Sequence, residues 1–194
     1  DYNEYLFKTK DETIALGGLL TTYMEDYNTM NSGGKAMDLV FFKDAVSHIA
    51  RLTRILLQPR GNALLVGVGG SGRQSLTRLA TFMAGAELRQ IEISRSYGMV
   101  EWRDDVKAAL MAAGLGRGHV GFLLTDTQVF NETILEDVNG ILSSGEVLNL
   151  YEPDDLETIS NDARADAENF AARTGSSGSL GRDDIISFYQ RRVR

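Results

Sequence analysis

Residues 63–75 read Ala63-Leu64-Leu65-Val66-Gly67-Val68-Gly69-Gly70-Ser71-Gly72-Arg73-Gln74-Ser75. The opening apolar run is too short for a helix and is bounded by Gly61 and Gly67, which predicts a strand buried on both faces. Glycines follow at 67, 69, 70 and 72, and beyond them Leu76, Leu79, Ala80 and Met83 recur on one helical face that ends near Gly85. The order is strand, glycine loop, helix. Such a junction aims successive backbone N–H groups, together with a helix N-terminus carrying roughly half a positive charge, at one point, and so suits a phosphate group.

Two anion-binding patterns overlap in this loop. Gly67-x-x-x-x-Gly72 has P-loop spacing, normally completed by Lys and then Ser or Thr. Arg73 and Gln74 stand at those places, with Ser75 one position later. Arg73 keeps the positive charge and can fork onto phosphate, but it is longer and bulkier than the ammonium it replaces. Gln74 has no hydroxyl for Mg²⁺, and Ser75 offers one only if the first helical turn rotates toward the metal; otherwise it serves ordinary first-turn helix chemistry. The same stretch also satisfies G-x-G-x-x-G at Gly67, Gly69 and Gly72, with Glu92 20 residues after Gly72, the spacing of a dinucleotide fingerprint. Against that second pattern stand Arg73 at the helix start and an acidic strand end further on. An exposed strand residue is the plainer role for Glu92.

Working outward, a helix is predicted over roughly Asp11–Tyr27, weakened by Gly17 and Gly18, and a stronger one over about Leu39–Leu57 on Phe42, Val46, Ile49, Leu52 and Leu56, stopped by Gln58-Pro59-Arg60-Gly61. Downstream, Leu88–Ile93 reads as a second strand, and Met99, Trp102, Val106, Leu110 and Ala113 line a helix closed by Gly114. Val120–Thr125 reads as a third strand, followed by a helix on Ile134, Leu135, Val138, Ile141 and Leu142 with Asn131 as N-cap and Gly145 as stop. Glu146–Leu150 is a candidate short irregular strand, Glu152-Pro153-Asp154-Asp155 a solvated turn, Thr174–Gly181 a flexible loop, and a last helix starts near Asp183. This βαβαβα alternation predicts an α/β fold: a parallel sheet with helices on both faces and ligands at the carboxyl ends of the strands.

Asp126 closes the third strand, in Phe122-Leu123-Leu124-Thr125-Asp126-Thr127. In phosphate-loop ATPases the corresponding strand ends in an Asp that serves the metal, commonly followed by a Glu that polarises the attacking water. Either Asp126 is the metal Asp and Thr127 replaces Glu, or Thr125 replaces Asp and Asp126 replaces Glu. One carboxylate is missing in both registers, and because strand side chains alternate, the two give Asp126 different jobs. Asp126 is thus a candidate catalytic residue, and Ser75, Thr125 and Asp126 are the candidate Mg²⁺ ligands.

The 194 residues carry a formal charge of −7 and a pI near 4.9, which disfavours nucleic acid and anionic membranes as partners. The absence of cysteine excludes disulfides and thiolate metal sites, and His48 and His119 lack ligand spacing, so packing or solvent is their expected environment. No apolar run approaches the roughly 20 residues that span a bilayer, and an intracellular setting is the default expectation. The start at Asp1 and end at Arg194 read as those of an excised piece.

Three stretches, MDLVFFKDAVSHIARLTRILLQPRGNALLVGVGGSGRQSLTRLA, GFLLTDTQVFNETILEDVNGILSSGEVLNLY and FYQRRVR, resemble the motor heavy chains of axonemal dynein, and within them the fourth AAA+ module of the ring. GSGRQS with TDTQ is similar to the axonemal members, whereas the cytoplasmic relatives are nearer to GK[ST] and DE at those places. The resemblance implies a P-loop NTPase fold of the AAA+ type, a three-layer αβα sandwich of strand order 5-1-4-3-2, left incomplete because the chain ends before its fourth strand, its sensor residues and its helical lid. Apolar sheet edges are then expected to be exposed. Residues 1–60 would form a helical lead-in, and 61–194 part of the large subdomain. By the same resemblance, Gly67, Gly69, Gly70, Ser71, Gly72, Arg73, Gln74 and Ser75 would wrap the phosphates of ATP or ADP, and Thr125 and Asp126 would fill the Walker B pair in the second register. The implied role is regulatory or structural nucleotide binding with weak hydrolysis; a slow ATPase and a vestigial ring spacer are the alternatives. Implied partners are neighbouring AAA+ modules of the same chain and the dynein intermediate and light chains. Microtubules would be met only through a stalk outside these residues, and the implied location is the cytoskeleton of a cilium or flagellum.

Overall fold

The structure is a computed structural model that describes residues 10–32, 36–116, 118–175 and 179–193. The chain divides into two compact units between Leu88 and Arg89. The first unit holds helices α1 (Lys10–Met30), α2 (Lys43–Leu56) and α3 (Arg73–Met83). The second holds α4 (Met99–Leu115), strand β2 (Val120–Leu123), a single 3₁₀ turn (Asp126–Gln128), α5 (Glu132–Ser143), α6 (Pro153–Arg173) and α7 (Arg182–Val193). Strand β1 (Glu87–Gln90) straddles the division and pairs with β2 in a parallel two-stranded sheet.

In the first unit the three helices close around Leu20, Val46, Ile49, Leu52, Leu79 and Ala80. Val46, Ile49, Leu52, Leu79 and Ala80 lie on the faces expected of α2 and α3, but Phe42, expected on the same face as Val46, precedes α2 and is 61% exposed, and on α1 Ile14 and Leu19 face solvent while Leu20 is buried. α1 runs on to Met30, beyond the predicted end, and Gly17 and Gly18 do not interrupt it. α2 is shorter than predicted and starts at Lys43; the residues before it are not helical. His48 faces solvent from α2, and His119 is likewise exposed in the second unit.

The predicted two-sided strand at Ala63–Val66 is the main correction. These residues are extended but belong to no ladder among the described residues. Leu65 packs on the helical core, while Leu64, Val66 and Val68 are 92%, 85% and 79% exposed. Of the four residues only Leu65 is partly covered, Ala63 being exposed like Leu64 and Val66, and among the described residues no neighbouring strand pairs with the run's N–H and C=O groups. Exposed apolar positions were expected of an incomplete sheet, and they lie here.

In the second unit α4 packs against β2, α6 and α7. Trp102 is fully buried and meets Phe122 edge-on at 6.1 Å. Its indole N–H donates to Asp137 Oδ2 at 2.8 Å, so the buried carboxylate and the ring satisfy each other. Asn131 caps α5 as predicted, its Oδ1 accepting from the Thr133 N–H at 2.9 Å.

Four further expectations change. β1 and β2 end at Gln90 and Leu123, short of Ile93 and Thr125. α4 runs through Gly114 to Leu115. Gly114 is there for closeness, since a Cβ on it would lie 2.1 Å from Tyr189 Cε2 of α7. Glu146–Leu150 forms a turn in which the Leu150 N–H bonds Val147 O and Asn149 takes φ 53°, so Val147 and Leu150 reach the core without a strand. The acidic run at 152–155 opens α6: Pro153 takes the first helical position, Asp154 and Asp155 fill the first turn, and Asp155 Oδ2 accepts from the Glu152 N–H at 2.9 Å. Part of the predicted loop at 174–181, residues 176–178, lies outside the described residues.

Candidate functional site

The glycine loop is built by backbone. Gly70 and Gly72 take φ 75° and 74°, the left-handed region that side chains disfavour, and a Cβ at Gly69, Gly70 or Gly72 would meet nothing within 4 Å. The glycines are therefore required by conformation and leave open space beside the chain. Gly72 is also the N-cap of α3 and offers no side chain to the helix's first N–H groups, which have no partner within a helix. The first turn of α3 also has no acidic residue, so no side chain offsets the positive end of the helix dipole. This is the arrangement in which an anion replaces the missing cap.

Arg73, Gln74 and Ser75 are the first three residues of α3; Arg73 and Ser75 are half-buried and Gln74 is exposed. The Arg73 guanidinium turns back on the loop: Nη1 donates to Leu65 O at 3.3 Å and Nη2 to Val68 O at 3.2 Å. Its Cδ and the Ser71 Oγ each lie 3.6 Å from where a Gly67 Cβ would sit. Arg73 thus ties the extended segment to α3 with two of its five N–H donors and leaves the others for an incoming oxygen. The sequence pointed to its charge and its fork onto phosphate but not to this tie, which depends on the fold of the loop.

The acidic strand end lies in the second unit. Thr125 is the half-buried N-cap of the 3₁₀ turn and Asp126, exposed, is its first residue. The Thr125 and Thr127 hydroxyls are 3.1 Å apart. Gln128, buried at the end of the turn, accepts the Thr125 N–H on Oε1 at 2.7 Å and donates Nε2 to Ile91 O at 2.7 Å. Its role was missed, although Thr125-x-x-Gln128 is a capping-box pattern readable from sequence. Glu92, just past β1, is exposed as its plainer reading required.

These residues fit a nucleotide with Mg²⁺ in chemical type. The loop offers uncapped N–H donors and a guanidinium to phosphate. Mg²⁺ keeps water and substrate oxygens and needs only one or two protein ligands, so the Ser75 hydroxyl of the first unit and, taken separately, the Thr125 hydroxyl and Asp126 carboxylate of the second are each of a suitable chemical type. The described residues include no cluster of three or more His, Cys, Asp or Glu suited to an all-protein metal cage. They also include no helix long and apolar enough to cross a membrane.

Comparison with known proteins agrees with this reading of the fold. Over residues 37–194 the sequence matches the family described as P-loop containing dynein motor region D4. It is 53% identical to mouse dynein axonemal heavy chain 1 over 146 residues, which is 75% of this chain and 3% of that protein. It is 46% identical to the dynein-1-beta heavy chain of the Chlamydomonas reinhardtii flagellar inner arm I1 complex over 189 residues, 97% of this chain and 4% of that one. With human dynein axonemal heavy chain 6 the identity is 43% over 176 residues, 91% of this chain and 4% of the relative. The chain therefore spans only a few per cent of the length of these heavy chains. A P-loop-spaced glycine turn leading into α3, a βαβ unit ending in Thr125-Asp126, and a family match across most of the sequence converge: the chain belongs to the dynein motor region D4 family of AAA+ modules.

Proposed function

We propose that this module holds ATP or ADP in a regulatory or structural role within an axonemal dynein heavy chain, with little hydrolysis of its own. The observation that carries the reading is the contrast between the loop's backbone and the residues at the chemistry-bearing positions. Its backbone cradle is intact, with left-handed Gly70 and Gly72 and an uncapped α3, while the chemistry-bearing positions hold Arg73, Gln74, Thr125 and Asp126 in place of Lys, a hydroxyl, Asp and Glu. Holding phosphate depends on the first set, and cleaving it on the second.

In this reading Gly67 to Ser75 bind the phosphates, and Ser75, Thr125 and Asp126 serve Mg²⁺, which when bound would neutralise phosphate charge. Residues 1–60 would be the lead-in, whose described part holds α1 and α2, with residues 1–9 and 33–35 outside the described residues, and 61–194 would be part of the large subdomain. The relatives' names support a place in the axoneme of a cilium or flagellum. The partners in this reading are other AAA+ modules of the same heavy chain and the intermediate and light chains of its complex. Microtubule contact would be made by a stalk outside these residues.

Photolabelling of the full-length protein with 8-azido-ATP, mapped to peptides covering 61–75, tests this reading. Arg73→Ala removes a charge-assisted bond worth about 1.5–3 kcal/mol, so labelling should require roughly 10- to 150-fold more nucleotide. Unchanged labelling would overturn the assignment. The exposed Asp126 carboxylate favours slow hydrolysis as the second reading. Phosphate release assigned to this site and abolished by Asp126→Asn would establish it and remove the clause on weak hydrolysis.

A further inference from the structure

Gln128 is 7% exposed, and an amide so buried is costly unless both of its ends are bonded. Both are. Oε1 accepts the Thr125 N–H and Nε2 donates to Ile91 O, each at 2.7 Å. Ile91 is the first residue after β1, and Thr125 lies two residues past the end of β2. One side chain therefore bridges the carboxyl ends of adjacent strands beyond the point where their ladder stops. The turn is also closed on itself, by Gln128 N–H to Thr125 O at 3.0 Å and Val129 N–H to Asp126 O at 3.2 Å.

A capping role alone needs only the bond to Thr125. The bond to Ile91, 37 residues away, does nothing for the turn's own conformation; it fixes the turn against β1. We infer that Gln128 is a positioning residue for Asp126, holding the carboxylate-bearing turn in one place relative to the end of β1 so that it need not be ordered when a metal–nucleotide complex arrives. The inference rests on the nucleotide-holding role proposed above.

The test uses the full-length protein with Gln128→Leu, which keeps volume and loses both bonds, and Gln128→Glu, which keeps the acceptor for Thr125 and sets an oxygen against Ile91 O. Hydrogen–deuterium exchange over residues 120–130 reads the strut itself. The Mg²⁺ midpoint for 8-azido-ATP labelling of residues 61–75, with labelling in EDTA as reference, reads its consequence. Both variants should exchange faster at Thr125 and Asp126 and raise the Mg²⁺ midpoint about tenfold, Gln128→Glu the less, while EDTA labelling stays as in the parent. Unchanged exchange, an unmoved midpoint, or equal losses with and without Mg²⁺ would each overturn the positioning role while leaving the nucleotide reading in place. A parent protein that is not labelled at the loop would instead refute the nucleotide reading and with it this inference, whereas an Asp126→Asn variant whose midpoint does not move would refute the metal role of Asp126, and so this inference, and leave the loop's nucleotide reading in place.

Discussion

Gly114→Ala sets two well-known effects against each other. In an exposed helix interior, alanine improves on glycine by about 1 kcal/mol. Gly114, however, lies inside α4 against α7, where the new Cβ would sit 2.1 and 2.4 Å from Cε2 and Cδ2 of Tyr189. Ordinary carbon contacts are about 3.5–4.0 Å, so the ring would have to retreat by roughly 1.5 Å. Tyr189 has nowhere to go: it is 2% exposed, and its hydroxyl is bonded to that of Tyr151 at 2.5 Å. Expelling a core aromatic costs about 3–5 kcal/mol, and subtracting the helix gain leaves a net loss of about 2–4 kcal/mol. Exchange of α7 amides in the full-length protein should then quicken roughly 30- to 700-fold. With Tyr189→Ala already present the sign should reverse, because the methyl group would enter vacated space and keep only its helix advantage. Unchanged exchange over 182–193, or an equal loss in the Tyr189→Ala background, would refute the steric argument.

Two other perturbations follow from the second unit. Asp137→Ala leaves the Trp102 indole N–H buried without its acceptor and should cost about 1–3 kcal/mol in unfolding experiments, whereas Asp137→Asn keeps an oxygen acceptor and should cost less. The Lys107–Asp155 bridge, 2.6 Å long, holds the Asp155 carboxyl below its ordinary range and the Lys107 ammonium above its own, each chiefly through their mutual hydrogen bond. Asp155, depressed, contributes stability above the ordinary carboxylate value of about 4 and loses it as pH falls further; Lys107, raised, contributes below about 10.4 and loses it as pH climbs past that value. The stability difference between the parent and Lys107→Ala, about 1 kcal/mol for a half-buried surface pair, should therefore be flat from pH 5 to 8; a slope in that window would contradict the assignment.

Much of this architecture could be read from local pattern because local pattern caused it. The faces of α2 and α3, the Asn131 cap and the glycine turn each follow from spacing and backbone chemistry within one segment. What was misread depended on remote partners. Ala63–Val66 has strand composition, yet pairing belongs to a neighbour and not to the run itself. Gly114 carries a stop signal by type and is kept for a ring 75 positions later. At 152–155 the charges drew attention from Pro153 and from the downstream apolar series Ile159, Ala163, Ala167 and Ala171, which is the buried face of α6. Small alanines mark a close helix contact less visibly than leucines would.

The glycine loop and the acidic strand end differ in what makes them, and so in what can alter them. The loop is shaped by glycine dihedrals and an uncapped helix, so the side chains at 73 and 74 can depart from the usual P-loop pair while the cradle keeps its form. Arg73 even adds to that form by tying Leu65 O and Val68 O to α3. The acidic end is the reverse case: Asp126 sits on a three-residue turn too short to hold its own direction, and a buried amide fixes it to β1. On the proposed reading, nucleotide retention should accordingly tolerate substitution along the loop's side chains better than at Gly70 and Gly72, whereas the metal-dependent share of binding should hinge on Gln128, whose amide is engaged with the Thr125 N–H and Ile91 O.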